Sequence, residues 1–226
     1  MKKISKRQQE NKKILINSQY NIENAIKLLK QMSSVKFVES VELHANLNIN
    51  PKYMDQQLRA TVTLPYGTGN DIKIAVITSP NQFDNAKKGG ADFFGSQDLI
   101  EKIRIGNIHF DLLIATPDMM PQVAKLGKIL GPKGLMPSPK SGTVSTELIH
   151  TLSDFKKGKF EYKADKYGIV HTNFGKINFT DTQLRENFVA LYKSIEQNKP
   201  AGVKGQYFKK IFICSTMSPS IELKLE

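Results

Sequence analysis

The sequence predicts an α/β protein in two parts. One is a discontinuous α+β domain built from both chain ends, residues 1–67 and 159–226; the other is an α/β domain inserted at residues 68–158. Three observations carry this. Apolar and polar residues alternate from Lys36 to Ile49 and again from Leu58 to Leu64, the period of strands with one buried and one polar face. Between Ile72 and Ala115 the strands become nearly continuous apolar runs separated by helical segments, as in parallel sheets buried on both faces. After Gly158 the half-polar alternation returns.

Residues 1–17 are mostly polar and basic and read as an arm or a frayed first helix. Asn21 is placed to cap the next helix, with Glu23 in its first turn, where the helix dipole favours an acid. Ile22, Ala25, Ile26 and Leu29 recur on one side of it. In the 36–49 strand Phe37, Val41, Leu43, Ala45, Leu47 and Ile49 take one face, and Lys36, Ser40, Glu42, His44, Asn46 and Asn48 the other. Pro51, which has no N–H to donate, stops it. The strand Leu58 to Leu64 alternates again and could pair with it as a neighbour, before the break at Pro65-Tyr66-Gly67-Thr68-Gly69-Asn70.

The inserted part opens with a strand, Ile72 to Ile77, and a helix, Asn81 to Lys88, ended by Gly89-Gly90. Ser96 is placed to cap Leu99 to Ile105, with Gly106 as terminator. Asp111 to Ala115 is a second buried strand, and a helix runs through Val123, Leu126 and Leu130. This order implies a three-layer, Rossmann-like arrangement. After a Gly/Pro/Lys-rich stretch, Gly127 to Gly142, a helix is marked by Leu148, Ile149, Leu152 and Phe155 and closed by Lys156-Lys157-Gly158. Lys159–Lys163 and Gly168–Phe174 then read as a hairpin. Thr180-Asp181-Thr182-Gln183 fits a capping box, starting a helix with the apolar stripe Leu184, Phe188, Leu191 and Ile195. Lys199-Pro200-Ala201-Gly202 ends it, and Tyr207 to Met217 is the last strand. Gly67, Gly69 and Gly158, at the two connections, are the expected double hinge.

Composition narrows the function. Among 226 residues, 33 Lys+Arg face 21 Asp+Glu, a formal net charge of +12. Such a field attracts polyanions: nucleic acid, an anionic membrane or an acidic protein. Residues 68–158 hold 11 basic and 9 acidic side chains, so +10 of the +12 belongs to the two ends. No apolar run approaches the ~20 residues of a membrane span, and no membrane partner is expected. Met1 to Arg7 is basic without an apolar stretch behind it, so no secretory signal is expected. Cys214 is the only cysteine, which excludes an intrachain disulfide.

Most enzymatic chemistry lacks its residues. The dinucleotide fingerprint needs G-x-G-x-x-G directly after a strand. Gly67-x-Gly69 precedes its strand and has Ile72 at the third position. Gly131-Pro132-Lys133-Gly134 resembles a phosphate loop without the required spacing, and Pro132 lacks an N–H. His44, His109, His150 and His171 are not at metal-ligand spacing, and one cysteine cannot complete a site. No catalytic residue, cofactor or metal is expected.

Two features suit RNA. Lys36-Phe37 opens the half-polar strand, and a cation beside an aromatic suits phosphate contact plus stacking. The alternative is that Phe37 is core and Lys36 merely solvated. Ser215-Thr216-Met217-Ser218-Pro219 ends the last strand with small hydroxyl residues, which admit close backbone approach and can bond 2′-hydroxyls or phosphate.

Gln122-Val123-Ala124-Lys125-Leu126-Gly127-Lys128-Ile129-Leu130-Gly131-Pro132-Lys133-Gly134-Leu135-Met136-Pro137 resembles the signature of the ribosomal protein L1 family. The likeness runs nearly end to end, through Val35 to Glu42, Asp55 to Arg59, Gly168 to His171, Gly175-Lys176, Lys199 to Gly205 and Ser215 to Met217. It implies a large-subunit stalk protein that binds rRNA through the end-built domain and helps release deacylated tRNA from the exit site. The alternative it implies is repression of its own messenger RNA through the same surface. Carried over by position, the rRNA contacts are Lys36, Phe37, Ser40, Glu42, Ser215, Thr216 and Met217, with His171, Lys204 and Gly205 as secondary candidates. The family usually has glycine after Thr-Met, where this chain has Ser218; a positive φ there would cost serine about 1 kcal/mol. Pro121-Gln122-Val123-Ala124 and Met136-Pro137-Ser138-Pro139-Lys140 look closest to cyanobacterial and plastid members. With the Lys/Asn/Ile bias, they imply a plastid (chloroplast) stromal ribosome, the alternative being bacterial cytoplasm.

Overall fold

The computed structural model describes residues 5–15, 17–106 and 108–224. In chain order the elements are α1 (Lys6–Ile14), α2 (Ile22–Met32), β1 (Ser40–Leu47), β2 (Arg59–Thr63), β3 (Ile74–Ile77), α3 (Phe83–Lys88), β4 (Phe93–Gly95), α4 (Gln97–Arg104) and β5 (Leu112–Ala115). There follow α5 (Met120–Ala124), α6 (Gly127–Leu130), α7 (Leu148–Lys156), β6 (Lys159–Lys163), β7 (Ile169–Lys176), α8 (Asp181–Gln197), β8 (Phe208–Ser215) and β9 (Ile221–Leu223). The protein is thus mixed α/β, and its contacts divide it into two compact units, Met1–Gly69 with Glu161–Glu226, and Asn70–Phe160.

The first unit is organised by a four-stranded antiparallel sheet, ordered β7-β1-β8-β9. Along β1 burial alternates residue by residue: Val41, Leu43, Ala45 and Leu47 are buried, and Ser40, Glu42, His44 and Asn46 are half exposed. The apolar face meets α2, through Ala25, Ile26, Leu29 and Met32, and α8, through Leu184, Phe188, Leu191 and Ile195. The capping box at Thr180 forms: its hydroxyl accepts from the Gln183 N–H at 3.2 Å, and the Gln183 side chain accepts from the Thr180 N–H at 2.9 Å. The β1–β7 register shifts between Val41 and Glu42, opposite Asn173 and Gly175. A Cβ at Gly175 would sit 2.7 Å from Leu184 Cδ2 and 3.2 Å from Phe179 Cδ2, so a larger residue there would have to push these side chains aside.

The helix α1 starts from Ser5, whose side chain accepts from the Gln8 N–H. The expected arm over residues 1–17 otherwise lies partly outside the described residues, at 1–4 and 16. Asn21 and Ser96 stand at helix starts, but neither makes a side-chain cap bond.

Two pairings differ from expectation. β2 does not lie beside β1; it pairs with β6 in a separate two-stranded sheet, where Arg59 is ion-paired to Glu161. β6 and β7 are likewise not a hairpin, because each is taken by another partner and only Ala164 bridges to Val170. The physical reason is competition: β1 already has β7 and β8 on its two edges, which leaves β2 and β6 to each other.

The second unit holds the three-stranded parallel sheet β4-β3-β5. Every residue of β3 is buried, because both faces are covered. Ile74 and Val76 pack with Leu148, Leu152 and Phe155 of α7, and Ala75 and Ile77 pack with Ile103, Val123, Leu126 and Leu130. The short strand β4 was not legible, since Phe93 and Phe94 are exposed at the sheet edge. Ile149, expected on the apolar stripe of α7, is exposed. The expected helix through Val123 and Leu130 is two short ones, α5 and α6.

Candidate nucleic-acid interface

The start of β1 and the end of β8 lie side by side, with Val41 opposite Ser215. Thr216 continues the pairing one residue further. Its N–H donates to the Ser40 carbonyl at 3.2 Å, and the Ser40 N–H donates to Thr216 Oγ1 at 3.1 Å. On the other edge Lys176, opposite Ser40 in register, donates its Nζ to Ser40 Oγ at 2.8 Å. Ser40, Thr216 and a lysine charge are thereby held at one end of the sheet.

Beneath them lies a residue that the sequence reading missed. Glu39 is only 1% exposed. Its carboxylate accepts the Met217 N–H at 2.8 Å and the Ser33 hydroxyl, and its carbonyl accepts the Ile177 N–H at 3.0 Å. A buried carboxylate is tolerated when its lone pairs are filled in this way. The signal was present: Glu39 shares the parity of Val41 and Leu43 on the buried side of the strand.

Ser218 closes the turn. Its Oγ accepts the Ser215 N–H at 2.9 Å, its N–H donates to the Ser215 carbonyl at 3.2 Å, and its hydroxyl donates to the Pro219 carbonyl at 3.1 Å. Among the described residues every positive φ belongs to glycine. Ser218 therefore carries no left-handed strain, and its hydroxyl supplies a turn bond that glycine could not. Ser215 is buried, and its Oγ has no partner among the described residues.

Lys36 and Phe37 fall in a bend before β1, not within the strand as expected. Phe37 is 53% exposed, which decides against a core role. Val38 and Met217 are exposed as well, so apolar surface flanks the Ser40–Thr216 pair. The secondary candidates separate. Lys204 and Gly205 precede Tyr207, whose carbonyl accepts the Asn48 N–H at the far end of β1. Phe208 and Ser215 bound β8, so about 23 Å of strand lies between them and the turn.

His171 sits on the outer face of the same sheet, opposite His44, with the two Nδ1 atoms 2.8 Å apart. Burial, then the charge of His171, hold the His44 pKa below its ordinary value despite Glu42. Burial, then Glu42, push the Cys214 thiol up to about 11. For Asp165 burial opposes ionisation, but N–H bonds from Ile169 and Tyr167, with His171 nearby, keep its pKa below the ordinary carboxylate value.

Hydroxyl, lysine and exposed aromatic groups gathered at one sheet end of a basic, mixed α/β chain have the chemistry that suits a nucleic-acid partner. The model of the ribosomal protein L1p/L10e family matches residues 29–219, and the chain belongs to that family. It is 66% identical to the large ribosomal subunit protein uL1c of Trieres chinensis, over all of this chain and 98% of that protein. To uL1c of Phaeodactylum tricornutum it is 63% identical, over all of this chain and 99% of that one. To the large ribosomal subunit protein uL1 of Prochlorococcus marinus (strain MIT 9515), a cyanobacterial relative, it is 52% identical over all of this chain and 96% of that protein. These relatives are named as large ribosomal subunit proteins, and the chain is accordingly a ribosomal protein and not an enzyme.

Proposed function

We propose that the chain binds a folded element of large-subunit rRNA through the end of its four-stranded sheet and, at the mobile stalk, helps release deacylated tRNA from the exit site. The observation that carries this reading is the Ser40–Thr216 pair, braced from below by Glu39 and flanked by exposed Phe37 and Met217. Small hydroxyls let a ribose–phosphate backbone approach, and the apolar side chains offer surface for stacked bases. Lys36 and Lys176 supply cations, and Glu42, Ser215 and Ser218 complete the set. His171 lies on the adjoining outer face, and Lys204 with Gly205 would meet a separate part of the RNA. The protein works on the plastid ribosome, in keeping with its uL1c relatives.

The inserted unit is read as a passenger in primary binding that moves about its two connections. Gly67, Gly69 and Gly158 have φ of 63°, 74° and 103°, a region open mainly to glycine. Gly67 itself is held, since Asn187 Nδ2 donates to its carbonyl at 3.0 Å and Asn187 Oδ1 accepts the Tyr66 N–H at 3.1 Å. The pivot in this reading therefore begins beyond Gly67.

Titration of the purified full chain with an rRNA stalk fragment tests the placement. Affinity should fall steeply with salt. Phe37→Ala should lose about 1–3 kcal/mol, the worth of one base stacked on an aromatic. Wild-type affinity in both Phe37→Ala and Met217→Ala would remove the interface from this end of the sheet.

A further inference from the structure

The outer face of the sheet carries a second constellation. Glu42 and His44 lie two residues apart on β1 and so point to the same side. Cys214 is the cross-strand partner of Glu42 on β8. One ligand atom from each of the three lies within 4.8 Å of the others. His44 Nε2 is 3.2 Å from Cys214 Sγ and 3.7 Å from Glu42 Oε2. A tetrahedral ion with Zn–N, Zn–O and Zn–S bonds of about 2.0–2.3 Å sets its ligand atoms roughly 3.5 Å apart. The two measured separations bracket that spacing.

The groups behind these three are ordered as a metal site needs. His44 Nδ1 lies 2.8 Å from His171 Nδ1, and His171 Nε2 lies 3.8 Å from Asp165 Oδ2. Asp165 is itself fixed by N–H bonds from Tyr167 at 2.9 Å and Ile169 at 2.8 Å. One proton arrangement is consistent throughout: His171 carries its proton on Nε2, toward Asp165, and accepts from His44 Nδ1–H. That leaves the lone pair of His44 Nε2 facing Cys214 and Glu42. A metal-ligating imidazole is oriented by the acceptor of its other N–H, and here that acceptor would be His171 Nδ1.

We propose that Glu42, His44 and Cys214 form a three-ligand site for a borderline-soft divalent cation of the zinc class, with the fourth position open to solvent. On binding, the Cys214 thiol releases its proton to solvent; the resulting thiolate, a carboxylate and a neutral imidazole balance a charge of +2, and the sulfur favours zinc-class ions over magnesium or calcium. The spacing of residues along the chain had argued against any metal site, because the third ligand arrives from a strand 170 residues away. Glu42 is shared with the proposed rRNA set, so the site is one of the RNA-free chain, and a failed cobalt titration would leave the rRNA reading untouched.

The test is titration of the reduced, chelator-stripped full chain with Co²⁺, followed by absorption. A saturable one-to-one rise of a thiolate-to-cobalt band in the near ultraviolet, with visible bands of tetrahedral intensity, is expected. Equimolar Zn²⁺ should abolish both. Cys214→Ser should lose the ultraviolet band, and His44→Gln should weaken binding. His171→Ala should keep the bands but lose about 10- to 100-fold in affinity, as outer-shell changes do. Circular dichroism checks that each variant is folded. No saturable band in the folded wild type would overturn the proposal, as would cobalt binding unchanged in His44→Gln.

Discussion

Replacing Ser218 by glycine, the residue the family usually carries there, separates two physical accounts by sign. If the position demanded a positive φ, the change would relieve strain and stabilise the protein by about 1 kcal/mol. The structure predicts the opposite. Ser218 has no positive φ, and its Oγ accepts the part-buried Ser215 N–H at 2.9 Å. Losing that bond costs about 0.5–1.5 kcal/mol. The added backbone freedom of glycine in the unfolded chain contributes about 0.5–1 kcal/mol more. Destabilisation of about 1–2.5 kcal/mol follows. With a urea m-value of about 2 kcal/mol/M, the midpoint should fall by about 0.5–1.2 M. The chain has no tryptophan, so far-ultraviolet circular dichroism is the suitable probe. The Ser215 amide should also exchange faster with solvent, a local readout of the same bond. An unchanged or raised midpoint would refute the reasoning.

Two further outcomes concern buried and paired carboxylates. Glu39→Ala should destabilise by about 3 kcal/mol, since hydrogen bonds to a charged group are worth about 1.5–3 kcal/mol each and the Met217 N–H is left unpaired; Glu39→Gln keeps an acceptor for Met217 and should cost about 1 kcal/mol. Urea midpoints of the two variants check the ordering, and equal losses would show that the carboxylate geometry is immaterial. Glu222 is held below its ordinary 4.5 first by the Gln19 amide and then by Lys210. A depressed carboxylate stabilises above its unfolded pKa, and the gain is lost as pH falls through the folded value. The melting temperature of wild type should exceed that of Glu222→Gln near neutral pH, with the gap closing below pH 4.5; a gap that persists in acid would show that charge is not its source.

Periodicity served best where one side of an element is buried and the other is not. The alternation along β1, the capping box at Thr180 and the fully apolar β3 are all visible in the chain, because each is a local consequence of burial. The same signal misled at Phe37. It extended the strand backward by parity into a bend where Phe37 is exposed and Glu39 takes the inward position. The edge strands β4 and β9 were too short to show a period.

The sequence by itself determined the class of elements, the concentration of positive charge in the two chain ends, and the family, since these depend on residue type and order alone. Tertiary structure decided which strands pair and which side chains meet. An apolar face states that something covers it, never what does. Thr216 reaches Ser40 across 176 residues, Met217 reaches Glu39 across 178, and Cys214 reaches His44 across 170. Such meetings are selected by competition among all strand edges at once, and no local pattern records the result.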